Sequence, residues 1–374
     1  FATILPASAQ SSPLLPQADY AAQDATFAQA FTVLQQAIAQ RAFPGCAVSV
    51  LHRGRLVALR GMGRFTYDAS SPAVQADTTF DLASVSKVVA TTPMAMLLYQ
   101  RGQLDLETPV VSLLPEFAGD DARRDRVTVR MLLAHSSGLP AYERLFERTH
   151  SREELVRAAL GTPLAADPGT RAEYSDIGFI ILGELLARLA DEPLHRFCQR
   201  EIFGPLGMAR TCYCPPAAWR PQIPPTVDDR VFRCRVVQGE VHDENAGVMG
   251  GVAGHAGVFA PAADLAFFAH ALLNGGGPIV RPESLALFTR PQPVPPGTSR
   301  ALGWDTPSQP SQSGRYLSPS AFGHLGYTGT SLWIDPELQL AITLLTNRTW
   351  PDHSNQAIKQ VRPKFHDSVV EALA

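Results

Sequence analysis

Strand-like runs stand at both ends of this chain, and helical patterning fills the span between them. Residues 45–51 form a largely apolar run of strand length, 52–55 read as a turn, and 56–61 return as the second arm of a hairpin. The other clear strand-like runs come only at 331–334 and 340–346. Between them, residues 105–300 read mostly as helices joined by long loops, with good helical stripes at 152–160, 177–190 and 264–273. Phe27, Phe31, Leu34 and Ile38 mark a helix over 26–41, and a last helix is expected from about residue 355. This order fits an α/β (α+β) fold with a discontinuous sheet lobe. Residues of about 26–90 and 300–374 would form that lobe, and about 91–299 a helical lobe inserted into it. A chain of 374 residues allows one large or two ordinary domains, and 26–374 reads as a single unit without internal repeats.

Charge and cysteine usage exclude several classes. The net charge is −3 and no block of Lys or Arg occurs, so neither nucleic acid nor an acidic membrane surface is an expected partner. No apolar run is long enough to span a bilayer. Ala7-Ser8-Ala9, behind a short apolar stub, has the form of a signal-peptide cleavage site, so an exported, periplasmic or secreted protein is expected. Residues 1–25 would then be a leader remnant followed by a loose polar arm. Five cysteines (Cys46, Cys198, Cys212, Cys214 and Cys234) do not make a disulfide framework. One bridge from Cys234 to Cys212 or Cys214 and a set of packed free thiols are both open readings.

Lysine placement carries the chemical signal. Only three lysines occur: Lys87, Lys359 and Lys364, while arginine supplies the other 29 of the 32 basic residues. Lys87 stands three residues after Ser84, at the start of a helix expected to run to about residue 101, and i and i+3 share a helix face. A lysine can surrender its proton where an arginine cannot, so Ser84 and Lys87 have the form of an activated nucleophile. Three further patterns follow: Leu132 to Pro140 (LLAHSSGLP) after a short helix, Tyr174-Ser175-Asp176, and Gly323-His324-Leu325-Gly326 leading into a strand. H-x-G also occurs at His52 and His255; His324 is preferred because a strand follows it, whereas a helix is expected after His255. Lysine and tyrosine both have reference pKa values near 10, and clustering lets them share a proton. Which of the two takes the serine proton is open. The segment His242–Asn245 lacks metal-motif spacing and reads as a loop bordering the cleft; no metal or cofactor is implied.

In this order and spacing, the chain resembles the serine β-lactamase and penicillin-binding-protein superfamily, in the branch of class C β-lactamases, DD-peptidases and family VIII carboxylesterases. The resemblance spans about residues 26–370 and includes Pro168-Gly169-Thr170, Gly183 to Leu186 (GELL), Pro205 to Met208 (PLGM), Val241 to Ala246 (VHDENA) and the glycine run 250–257. It implies a mainly antiparallel sheet flanked by helices, with the site between sheet lobe and helical lobe. It further implies Ser84 as nucleophile, Lys87 as its activator, Tyr174 as general base or proton relay, and His324 as the group that tunes Tyr174 and meets the substrate. Gly326 and Tyr327 would lie on the strand edge, with the Ser84 and Tyr327 N–H groups as oxyanion donors. Tyr142 would contact substrate. The implied reaction is hydrolysis through a Ser84 acyl-enzyme of an ester, a D-amino-acid peptide or a β-lactam, from a small-molecule or peptidoglycan-type substrate. A class C-type β-lactamase is the first rival; a β-lactam sensor without turnover or a structural relative is a rival of another class.

Two departures from that pattern matter. Asp176 replaces an asparagine, and its charge is expected to raise the Lys87 pKa, keep Lys87 protonated and shift the base work to Tyr174. His324-Leu325-Gly326-Tyr327 replaces Lys-Thr-Gly and removes a permanent positive charge, which weakens recognition of a substrate carboxylate and favours neutral esters.

Overall fold

The computed structural model describes residues 15–308 and 310–374. The proposed cleavage site at 7–9 lies outside the described residues. In chain order the elements used below are β1 (Gln17–Ala18), α1 (Ala28–Ala39), β2 (Gly45–His52), β3 (Arg55–Gly63), β4 (Thr79–Asp81) and α2 (Thr92–Gln100). They continue with α3 (Arg152–Leu160), α4 (Asp176–Ala190), β5 (Cys212–Tyr213), β6 (Val227–Asp229), β7 (Arg235–Val237), β8 (Val258–Pro261) and α5 (Ala262–Leu273). The chain closes with β9 (Phe322–Leu325), β10 (Ser331–Asp335), β11 (Leu340–Thr346) and α6 (Ile358–Leu373).

The two ends of the chain meet in one sheet of order β1-β3-β2-β11-β10-β9. Every pairing is antiparallel except β1 with β3. The central contact joins β2 to β11 in the register Val48↔Leu344 and Val50↔Ile342. Strand side chains alternate between faces, and both faces of this sheet are buried. Val48, Val50, Ile342 and Leu344 point to a core shared with Phe31, Leu34, Phe365 and Val369 of α1 and α6. Ala47, Leu51, Ala341 and Leu345 point to the opposite core, shared with Leu265 and Phe268 of α5. Near-continuous apolar runs at both chain ends therefore follow from helices covering both faces. Helix α5 lies on the sheet although it comes from within the 91–299 span.

Two local differences from the sequence reading have physical causes, and of the two open readings for the cysteines the structure has the free thiols. The described part of the N-terminal arm is not loose: β1 pairs with β3, and Asp19 meets Arg55 at 2.7 Å. The helix expected from Ser84 is not regular. A 3₁₀ turn (Ala83–Val85) and a π turn (Lys87–Thr91) precede α2. Pro93 has no N–H to offer Val89 O, and the turn before it widens, with Thr92 N–H reaching Lys87 O. All five cysteines are free; Cys214 Sγ lies against Gly250 O at 3.2 Å and the buried Cys46 and Cys198 are packed thiols.

Candidate active site

Ser84 sits where β4 ends. Ala83, just before it, holds φ 48, a left-handed conformation unfavourable for a residue with a Cβ. The buried Asp81 carboxylate fixes that turn by accepting the Ala83 N–H at 2.8 Å and also the His242 N–H at 2.6 Å. Strand β4 pairs with β8, and Val258 N–H reaches Ser86 Oγ at 3.0 Å. The Ser84 segment is thus tied to the 242–258 region from two sides.

Lys87 is fully buried, with its Nζ 3.1 Å from Ser84 Oγ, 2.5 Å from Tyr174 OH, 2.6 Å from Asp176 Oδ1 and 2.9 Å from His255 O. Tyr174 OH donates to Ser84 Oγ at 2.6 Å. An amine nitrogen has three directions besides its own carbon, so four partners share them, and the Ser84 contact is the longest.

Tyr174 and Asp176 owe their places to the second motif. Ser175 caps α4, its Oγ accepting the Gly178 N–H at 3.0 Å. His135 Nδ1 accepts the Ser175 N–H at 3.1 Å, His135 O accepts from Glu173 N–H, and Ala141 O accepts from Asp176 N–H. The His135 ring lies 4.8 Å from the Tyr174 ring. The run 132–140 is therefore a bracket for the tyrosine turn.

A cavity of about 770 Å³ opens over Ser84, lined also by Tyr142, Tyr174, Asp176, His324, Gly326 and Tyr327. Every candidate catalytic or substrate-binding residue read from the sequence therefore faces it, except Lys87, which lies beneath Ser84 and Tyr174; none of residues 132–140 lines it. Residues 322–325 are themselves strand β9, at the sheet edge, and 331 opens the next strand. His255 is followed by β8 before α5 begins, so a strand follows His255 as well as His324. Both line the cavity, and His255 is bound by its ring to Asp243 at 2.7 Å and by its carbonyl to Lys87. Of the segment 242–245, read as a loop at the cleft, His242, Asp243 and Glu244 border the cavity and Asn245 does not, and Glu244–Val248 is a short helix. Arg300 and Asp305 are cavity residues without a sequence signal; they pair with each other, and the Arg300 guanidinium stands 5.5 Å from the Tyr174 ring centre. Nothing in the pattern of a polar loop at 291–313 marks these two.

The beta-lactamase family profile matches residues 30–362. The chain belongs to the beta-lactamase family. It is 34% identical over 343 residues to an N-acetylmuramyl-L-alanine amidase of Bacillus subtilis, covering 82% of this chain and 77% of that one. It is 32% identical over 321 residues to a putative D-alanyl-D-alanine carboxypeptidase of Salmonella agona, covering 77% and 72%. Among solved structures, EstCE1, a hydrolase with promiscuous acyltransferase activity, superposes with a TM-score of 0.74 at 22% identity, over 93% of this chain and 99% of that one; this likeness concerns the fold. The β-lactamase/transpeptidase-like fold and a serine hydrolase of this superfamily are thereby established.

Electrostatics in this beta-lactamase-family site differ from the sequence expectation at Lys87. Burial pushes the Lys87 pKa down, and it outweighs the upward pull of Asp176. Burial and then Asp176 push the Tyr174 hydroxyl well above the usual tyrosine value. Burial, then the Lys87 and Arg300 charges, hold His324 well below the usual histidine range. Its Nδ1 lies 2.7 Å from Leu325 O, which places the proton of the neutral ring on Nδ1. Burial works against ionisation of Asp243, yet the His255 pairing and the Ala246 N–H bring it to about 2. The group with a depressed proton affinity beside Ser84 is the lysine, not the tyrosine.

Proposed function

We propose that this serine hydrolase cleaves an amide bond in muramyl-peptide or D-alanyl peptide fragments through a Ser84 acyl-enzyme. The observation that carries the reading is the contact of Ser84 Oγ with both Lys87 Nζ at 3.1 Å and Tyr174 OH at 2.6 Å on the floor of an open cavity. Neutral Lys87 takes the Ser84 proton as Oγ attacks the carbonyl carbon. The carbonyl oxygen becomes an oxyanion held by the N–H groups of Ser84 and Tyr327. Tyr174 passes its proton to the leaving nitrogen and is reprotonated from the Lys87 ammonium, while the C–N bond breaks. Water then attacks the ester carbonyl carbon, its proton passing through Tyr174 to Lys87, and as the C–O bond to Ser84 breaks that proton returns to Ser84 Oγ, leaving Lys87 neutral and the acid product free. Asp176 and His255 O hold Lys87 in place through both halves.

The amide class rests on the two curated relatives, an amidase and a carboxypeptidase. Cell-wall fragments as substrates fit an exported protein, and among the described residues no helix is long and apolar enough to cross a membrane. Esters form the second class, because a neutral His324 offers no fixed charge to a substrate carboxylate. For the same reason, and because Asp176 lacks an amide donor, β-lactams rank third. The test is product analysis by mass spectrometry after incubation with N-acetylmuramyl-L-alanyl peptides, acyl-D-Ala-D-Ala, aryl esters and a penicillin. Cleavage of a peptide amide by the native chain and not by Ser84→Ala supports the reading. Ester cleavage alone would move the assignment to an esterase, and lasting penicillin adducts without any product would move it to a sensor.

A further inference from the structure

We propose that Arg362 is a positioning residue for catalysis: a buried cation that strengthens the Tyr327 N–H by binding the carbonyl of the same peptide group. The inference rests on the reading above, in which Tyr327 N–H is an oxyanion donor.

Arg362, on α6, is 4% exposed and has no carboxylate partner among the described residues. Its Nη2 donates to Gly326 O at 2.7 Å and Thr330 O at 2.8 Å, and its Nη1 to Gln312 Oε1 at 2.9 Å. Gly326 C=O and Tyr327 N–H belong to one planar, resonance-coupled unit. Hydrogen bonds to such a carbonyl polarise the unit and make its N–H a stronger donor, more so in a low-dielectric interior. Gly326 O also accepts the Gly329 N–H at 3.0 Å, so two donors pull on it. Tyr327 N–H itself has no backbone acceptor among the described residues. Arg348 treats the next carbonyl similarly, its Nε donating to Tyr327 O at 2.6 Å with the guanidinium 4.4 Å from the Tyr327 ring centre.

A purely mechanical role is already filled by other groups. Gly326 N–H bonds Thr330 O at 2.7 Å, Thr328 Oγ1 bonds Asp81 O at 2.9 Å, and Thr330 Oγ1 bonds Leu82 O at 2.8 Å. These bolt the 326–330 turn to the segment that carries the Ser84 N–H, the other oxyanion donor. Burial and the nearby Arg348 lower the Arg362 pKa to about 9, so it keeps its charge at neutral pH. A cation without a carboxylate partner among the described residues, buried in the cavity wall one peptide group from the proposed oxyanion position, is electrostatic preorganisation.

The experiment compares the native chain with Arg362→Met, Arg362→Gln and Arg362→Lys on an accepted ester and its thiono (C=S) counterpart. Removing a direct oxyanion donor costs about 100–1000-fold in kcat, and weakening one is expected to cost about 10–100-fold. Arg362→Met should lose that factor in kcat with KM little changed, and its preference for C=O over C=S should shrink. Arg362→Lys should restore most of both. If Arg362→Met melts early, Arg362→Gln, which keeps a neutral donor, carries the same comparison. Three results would overturn the role: a native kcat, a kcat loss with an unchanged C=O/C=S ratio, or a loss confined to KM for anionic substrates. Ser84→Ala separates this from the parent reading, since activity surviving in Ser84→Ala would sink the acyl-enzyme itself.

Discussion

At the scale of single residues, the proton inventory decides how the site works. Lys87 donates to or shares protons with four oxygens within 3.1 Å, and its burial lowers its pKa while Asp176 opposes that fall. A base must be free of its proton, so the acylation rate should rise with pH through the Lys87 pKa. Asp176→Asn removes the group that raises this pKa. The acid limb of the kcat/KM profile should therefore move to lower pH, with Tyr174 also relieved of an upward push. An acid limb that moved to higher pH, or stayed in place, would contradict Lys87 as the base. The Ser84–Lys87 pair was legible because arginine fills nearly every other cationic position. The sign at Lys87 was not, because an adjacent carboxylate is visible in a sequence and complete burial is not.

At the scale of elements, backbone contact between α4 and the 254–258 segment sets the site. Gly183 and Gly254 approach so closely that a Cβ on Gly254 would overlap Phe179 O and lie 2.9 Å from Gly183 Cα. The same segment places His255 O on Lys87 and Gly254 O on Thr91 Oγ1. Gly254→Ala is expected to destabilise the fold by about 1–3 kcal/mol through overpacking and to lower kcat, measured by urea unfolding and kinetics on the same preparation. Native activity in Gly254→Ala would show that Lys87 does not depend on this contact. Helices with a single apolar stripe, such as α3, were legible to the residue, since Ser151 caps it at the residue before Arg152. The turns around Ser84 were not, because a π turn forced by Pro93 leaves no mark in periodicity. Strand β8 after His255 was likewise hidden: four residues running straight into an apolar helix look like its first turn.

At the scale of the whole molecule, the sheet joins chain ends through β2 and β11, so both termini share one cooperative core. That much followed from where strand-like runs lie. Which helix from the middle would cover the second face did not, because α5 has the same apolar character as a helix buried among helices. The core also carries neutral imidazoles. Burial holds His135 and His324 well below the usual range, His242 at about 4 and His366 at about 3. Below the unfolded value near 6.5 the unfolded chain binds more protons, so stability falls as pH falls, by about 1.4 kcal/mol per unit for each imidazole. Asp81 opposes this only between about 4 and 6, where its buried carboxyl, pushed up to about 6, holds a proton in the folded state. The melting temperature should drop steeply from pH 6.5 to 4, and His366→Gln should flatten the drop. A melting temperature that rose on acidification would refute this balance.

The most direct test of the account is the intact mass of the protein milliseconds to seconds after mixing with an activated aryl ester, followed by peptide mapping. The account predicts a transient gain of one acyl group, mapped to the peptide containing Ser84, which decays as product accumulates and does not form in Ser84→Ala. An adduct on another residue, or full turnover by Ser84→Ala, would contradict it.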